Sequence, residues 1–417
     1  MKASELITTS AETERRIADG IEQNRKGDFH VKTDFAPGTA VHFRQKSHAF
    51  RFGANLFMLG EVGDKPEKNA IYADKFRSLF NMATLPFYWN ATEPEEGHTR
   101  YAADAPALYR RPPIDRCLSF CEENGIEPRE HALCYEHQFP SWLAGRSRDE
   151  VYAALERRIA EIAERYAEKI PTMEITNEMF WKEGVTSIYK DPDYVAKCFR
   201  LAEKYLPNNE LCANEWANAW NFGREANQNC LRAAMEAGAR IDAIGLQYHM
   251  FFKREEYAEK TRPFYDKAAL LESLDSYAAF GKPVEITEVT IPAFSGEAED
   301  EEMQAELLEQ FYSLWFSHPS VKQIIYWNLV DGYAYMAEPG DMSCGENYYY
   351  GGLLRFDMSE KPAFRRLKYL FEEKWHTEGD AVVGEDGTLS FRGFFGDYEL
   401  CSGGKTESVS LAKPQTL

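Results

Sequence analysis

Between residues 50 and 330 eight short runs rich in β-branched and apolar residues alternate with stretches of helical periodicity. The strand candidates are 50–57, 82–88, 129–135, 172–178, 210–216, 243–250, 284–291 and 322–330. Helical stretches at 114–124, 149–168, 193–205, 224–238, 266–280 and 301–317 fall between them. A helix after each strand carries the chain back to the same edge, so the strands run parallel. Eight such units over residues 49–376 are what a closed barrel requires. A doubly wound sheet is the competing topology, but no glycine-rich phosphate loop follows the first run. The sequence therefore predicts the α/β class, a (β/α)8 TIM barrel.

Both ends of the chain differ from this pattern. Within residues 1–48, residues 10–26 read as a polar amphipathic helix capped by Ser10. Runs at 29–35 and 40–46 alternate in strand fashion around the turn Ala36-Pro37-Gly38. From 377 to 417 glycines punctuate short alternating runs, predicting a second small β appendage that packs with the first. A net charge of −20 argues against a nucleic-acid partner and against an anionic membrane surface. No run of about 18 apolar residues predicts a membrane span, and the N-terminus lacks signal-peptide form, so a cytoplasmic location is expected. The eight cysteines are scattered and read as reduced thiols; Cys117 and Cys121 have no second pair to complete a zinc set. Neither a metal nor a cofactor is expected, and the oligomeric state is left open.

The chemistry is carried by carboxylates inside apolar runs. Glu288 lies near the end of Pro283-Val284-Glu285-Ile286-Thr287-Glu288-Val289-Thr290-Ile291, and Glu178 ends Met173-Glu174-Ile175-Thr176-Asn177-Glu178. A buried carboxylate is costly without a partner, and barrel enzymes build their sites at the C-terminal ends of the strands. Two strand-end carboxylates facing one cleft are the equipment of glycoside hydrolysis. Other polar residues recur at the same level: His131, Glu136, His137 and Gln138, then Asn214 and Glu215, Gln247 and His249, and Trp327, Asn328 and Asp331.

In this order the residues resemble glycoside hydrolase family 10, whose best-known members are retaining endo-β-1,4-xylanases. Phe52-Gly53-Ala54 resembles the first strand; Phe80-Asn81 and Ala91-Thr92-Glu93-Pro94 with Gly97 resemble the second block. His131-x-Leu133 with Gln138-x-Pro140-x-Trp142 resembles the third, and Ile244-Gly245-Leu246-Gln247-x-His249 the sixth. Thr176-Asn177-Glu178 and Ile286-Thr287-Glu288 resemble the acid/base and nucleophile motifs. Trp327, Asp331, Gly352-Leu353-Leu354-x-Phe356-Asp357 and Lys361-Pro362-Ala363 resemble the last segment. The resemblance implies a retaining hydrolase cleaving a β-glycosidic bond in a plant-type polysaccharide or oligosaccharide. It implies Glu178 as general acid/base and Glu288 as nucleophile, with Asn177 on the sugar 2-hydroxyl. His249 would orient Glu288, Gln247 would support it, and Trp327 would floor the reacting sugar. For Glu178 to act as acid it must hold its proton at neutral pH, which burial and the Glu288 charge favour.

The departures bear on substrate. Leu85-Pro86-Phe87-Tyr88-Trp89-Asn90 lacks the family's Glu-Asn pair, with Tyr88 where a lysine stands and Trp89 retained. That subsite is expected to be more aromatic and less charged. Tyr135-Glu136 replaces a Trp-His pair, with His137 one position late, and Val289-Thr290 follows the nucleophile. Tyr88, Trp89, Glu136 and His137 are thus expected to line the glycone side. A related specificity is the alternative: a side-chain sugar, a short oligosaccharide or a glycoside with an apolar aglycone. A metal at the barrel mouth held by His131, Glu136, His137 and His249, and a non-catalytic sugar-binding barrel, are the remaining readings.

Overall fold

The computed structural model describes residues 1–63, 65–180 and 184–412. The last five residues of the C-terminal appendage, 413–417, lie outside them. Two strands, β1 (Lys26–Lys32) and β2 (Ala40–His48), precede eight barrel strands. These are β3 (Arg51–Asn55), β4 (Met82–Pro86), β5 (Glu127–His131), β6 (Thr172–Asn177), β7 (Glu210–Glu215), β8 (Ala243–His249), β9 (Val284–Thr290) and β10 (Val321–Tyr326). They pair parallel in chain order and β10 closes on β3, as the alternation predicts. Every residue of β4, β6 and β9 is buried, because helices cover the outer face while side chains fill the interior. Helices at Ile114–Asn124, Arg148–Tyr166, Tyr194–Tyr205, Arg224–Glu236, Lys267–Ala278 and Ala298–Ser317 match the periodic stretches, and Pro66–Leu79 fills the gap after β3.

The two ends of the chain form one β unit. Strand β1 pairs with β12 (Thr388–Phe394), while β11 (Glu378–Val382), β2, β13 (Gly396–Ser402) and β14 (Lys405–Leu411) make a four-stranded antiparallel sheet. Val41, Phe43, Leu389, Tyr398 and Leu400 form a small core of their own there. The N-terminal helix, Ala11–Arg25, is capped by the Ser10 hydroxyl, which accepts from the Thr13 N–H. It docks on the barrel through Arg25, which donates to the carbonyls of Phe316, His318 and Val321. Glu14 pairs with the buried Lys267 at 2.6 Å.

Charges, not only aliphatic side chains, fill the barrel interior. Arg129, fully buried, contacts Glu174 at 2.6 Å and Glu285 at 3.0 Å. Lys322 contacts Glu285 at 2.8 Å and also pairs with Glu210. Glu174 accepts from His131 Nδ1 at 2.8 Å. Burial raises the Glu285 carboxyl, but Lys322 and Arg129 overcome it and hold the group down at about 2. Removing one partner from such a cluster strands the others' charge, which costs about 3–5 kcal/mol. Arg129→Met is therefore expected to lower the unfolding free energy by about that amount in denaturant titrations. A loss below about 1 kcal/mol, the level of an exposed ion pair, would show that the cluster is not structural.

Candidate active site

The open end of the barrel holds a cleft of about 580 Å³. It is bounded by strand ends and the loops that follow them, and Glu178 and Glu288 both line it. Their placement depends on local departures from regular strand. Along β8 and β9, Leu246 pairs with Ile286 but Gln247 pairs with Glu288, so one extra residue is accommodated on β9. Such a bulge re-aims side chains. Thr287 and Glu288, consecutive in sequence, both reach Asn214: the Thr287 hydroxyl donates to Oδ1 at 2.6 Å, and Nδ2 donates to Glu288 Oε1 at 2.9 Å. Glu178, directly after β6, has φ of 50°, an uncommon conformation for a residue with a side chain. Its N–H donates to the Asn214 carbonyl at 3.2 Å, and the next N–H, of Met179, donates to Glu215 Oε2 at 2.9 Å.

One hydrogen-bonded network joins the two carboxylates. Glu178 accepts from the Tyr135 hydroxyl at 2.6 Å and from Gln247 Nε2 at 3.1 Å. Gln247 Nε2 also donates to Asn177 Oδ1 at 3.1 Å, and Asn214 Nδ2 donates to the same oxygen at 2.9 Å. With its oxygen so engaged, Asn177, which lines the cleft, is left with Nδ2 as its donor. His249 Nε2 lies 3.1 Å from Glu288 Oε2 and its Nδ1 lies 2.9 Å from the Thr290 hydroxyl. The tautomer with Nε2–H suits both, since a carboxylate only accepts while the hydroxyl can donate to Nδ1. Burial lowers His249 to about 4, so the ring is neutral at physiological pH.

Burial has the opposite effect on Glu288. It pushes the carboxyl up to about 8 against the pull of His131, with the charges of Glu174 and Glu178 adding to the rise and Asn214 opposing it. For His131, burial disfavours the cation, but the adjacent Glu174 outweighs it and holds the imidazole above its usual value. His131 Nε2 then bonds the Tyr88 hydroxyl at 2.9 Å. The ligand-type atoms of His131, Glu174 and Glu288 lie within 4.8 Å of one another. Each is already used in this network, which makes the cluster a hydrogen-bonded unit rather than an open chelate.

Of the sequence-predicted residues, Glu178, Glu288, Asn177, Gln247, His249, Trp327 and Tyr88 come together on the cleft lining. Trp327 stands against Phe57, His131 and His249, with ring centroids 5.2, 5.3 and 5.6 Å away. Three residues do not join them. Trp89 is buried outward of the cleft, where its Nε1–H donates to Glu93 at 2.7 Å and its ring packs on Phe139 and Trp142. Glu136 turns towards the loop after β6 and accepts from the Thr186 N–H and hydroxyl. His137 is exposed on the short 3-10 turn Glu136–Gln138. In each case the chain turns after the strand, so a residue adjacent in sequence to a cleft residue points elsewhere. The structure adds Tyr135, Arg110, Arg111, Trp216, Tyr335 and Glu346 to the lining. Tyr135 had a sequence signal, its place three residues before Gln138 in a matched block; the loop arginines had none.

Eight parallel strands closed into a barrel, with two glutamates lining one cleft among polar and aromatic side chains, are the equipment of a barrel hydrolase of the two-carboxylate kind. The glycosyl hydrolase family 10 profile matches residues 47–369, and the chain belongs to that family. It is a glycoside hydrolase of the retaining, endo-1,4-β-xylanase-like type, and its substrate is a carbohydrate. Endo-1,4-beta-xylanase B of Thermotoga neapolitana is 23% identical over 318 residues, covering 73% of this chain and 84% of that enzyme. Endo-1,4-beta-xylanase 2 of Arabidopsis thaliana is 24% identical over 377 residues, 87% of this chain but only 30% of the plant protein. Endo-1,4-beta-xylanase B of Cellvibrio japonicus is 26% identical over 258 residues, 61% of this chain and 40% of that enzyme. The xylanase 10B structure from Thermotoga petrophila, solved with xylobiose, superimposes with a TM-score of 0.63 at 22% identity, over 78% of this chain and 95% of that one. Among the described residues no helix is long and apolar enough to cross a membrane.

The neutral state of His249 has a measurable consequence. The unfolded chain takes up the proton that the folded site refuses, so this group's contribution to stability falls as pH drops from about 6.5 towards 4. The His249 ring should titrate near 4 by NMR. A midpoint above 6 would contradict burial as the dominant influence on the ring.

Proposed function

We propose that the chain hydrolyses a β-1,4-linked xylo-oligosaccharide or polysaccharide with Glu288 as nucleophile and Glu178 as general acid/base. The observation that carries this reading is the shared network. Two glutamates on different strands are joined through Asn214, Asn177 and Gln247, with different partners on each. The Tyr135 hydroxyl beside Glu178 can accept as well as donate, so that contact survives when Glu178 carries a proton. The Asn214 amide beside Glu288 can only donate, which favours the carboxylate there.

In the first step the Glu288 carboxylate attacks the anomeric carbon while Glu178 gives its proton to the departing oxygen. The sugar is then esterified to Glu288. In the second step Glu178 takes a proton from water, which attacks the same carbon from the face the leaving group vacated, so configuration is retained. Asn177 Nδ2 is the donor for a sugar hydroxyl, and Trp327 supplies the apolar floor. His249 holds Glu288 by one oxygen and Asn214 by the other, which fixes the attacking lone pair.

Burial raises the Glu288 carboxyl to about 8, so the carboxylate that attacks the anomeric carbon forms as pH rises towards that value. A raised carboxyl keeps its proton below that pH, and kcat/KM is expected to rise as pH climbs towards about 8. Activity undiminished at pH 5 would contradict it. Glu178→Ala and Glu288→Ala should each cost at least about 10²–10⁴-fold in turnover. With natural substrate, NMR should show the β anomer of the product first. An α anomer first would exclude the double displacement.

A further inference from the structure

The less charged glycone side expected from the loss of lysine at 88 is not what the cleft contains. Arg110 and Arg111, from the loop before the helix Ile114–Asn124, both line it and are only 3% and 9% exposed. Arg110 is committed to the protein: its Nη1 donates to Asn328 Oδ1 at 2.9 Å and to the Tyr333 carbonyl, although its Nε has no partner. Arg111 is not. Its guanidinium lies 4.0 Å from the Tyr88 ring centroid and 5.5 Å from that of Phe57, and its one hydrogen bond runs from Nη1 to the Arg110 carbonyl. Neither arginine forms an ion pair among the described residues. Glu346, also on the cleft lining, is not ion-paired with either arginine among the described residues; its Oε2 accepts from Asn328 Nδ2 at 2.8 Å and from the Tyr335 N–H at 3.4 Å.

A buried cation without a counter-charge is expensive unless something supplies one. Stacking on Tyr88 and Phe57 offsets part of the cost. It also pins the guanidinium plane, leaving its remaining N–H edge to the cleft. A fixed planar fork of donors matches a carboxylate, which is planar and takes two parallel hydrogen bonds. The position is tied to the reacting centre, because Tyr88 bonds His131, His131 bonds Glu174, and Glu174 shares Asn214 with Glu288.

We propose that Arg111, backed by Arg110, is a specificity-determining residue that binds the carboxylate of a uronic acid residue in the substrate. The preferred glycoside then carries an acidic sugar on the Tyr88 side of the cleft. This rests on the hydrolase reading above and deepens it.

Two measurements separate the two ideas. Calorimetric titration of the wild-type chain with methyl β-D-glucuronide and with methyl β-D-glucoside, which differ at the carboxylate, tests the arginine site without turnover. The glucuronide is expected to bind at least tenfold more tightly, with the difference shrinking as salt is raised; equal affinities overturn the proposal. Hydrolysis of xylo-oligosaccharides with and without a uronic acid branch then tests its use. The ratio of kcat/KM for acidic over neutral substrate should exceed ten in the wild type. It should fall at least tenfold in Arg111→Met, which keeps the stacking length, and less in Arg111→Lys, which keeps the charge. Turnover of both substrates with a ratio near one overturns the proposal and leaves the hydrolase reading intact. Turnover of neither overturns the hydrolase reading, and the titration alone then decides the arginine site.

Discussion

The side-chain amide of Asn214 holds the site together. Its Nδ2 faces Glu288 and Asn177 at 2.9 Å and Glu174 at 3.2 Å, while Oδ1 accepts from Thr287. Two hydrogens serve three acceptors, so the amide is fixed from every side and the glutamates are fixed with it. The neighbouring strand makes room: a Cβ on Gly245 would come within 2.7 Å of Asn214 Oδ1. Any residue larger than glycine there would displace the amide that orients the nucleophile.

Below this level the barrel interior is a balance of charges. Arg129 and Lys322 neutralise Glu174 and Glu285, and His131 links that cluster to the cleft floor. At the cleft burial raises Glu288 against the pull of His131. Chemistry that needs one acid and one base from two like groups depends on this difference in surroundings. The fold supplies it by pairing Glu174 and Glu285 with Arg129 and Lys322, and by setting hydrogen-bond donors and the His131 imidazole beside the reacting pair.

The strand and helix pattern was legible because period and length survive in sequence, and both glutamates stood out as carboxylates in apolar runs. The barrel's inner charges were less so. Arg129 and Glu285 look like ordinary polar residues at a strand's edge until neighbouring strands set which side chains face inward. The bulge that aims Thr287 and Glu288 at one amide is a matter of pairing register, which a single chain segment does not encode. Trp89 and Glu136 show the converse: their places in the family's second- and third-strand motifs suggested the cleft, but a turn of the chain sends them elsewhere. Arg110 and Arg111 come from a loop without periodicity, and only the folded chain brings Arg110 against Phe57 and Arg111 against Tyr88.

The central claim is that Glu288 forms the covalent bond to sugar. Incubating the chain with an activated 2-deoxy-2-fluoro-β-xyloside, which slows breakdown of the glycosyl-enzyme, and mapping the labelled peptide by mass spectrometry tests it directly. The account predicts one sugar per chain, on the peptide containing Glu288, and no label in Glu288→Ala. Label on Glu178, or inactivation without a covalent adduct, would contradict it.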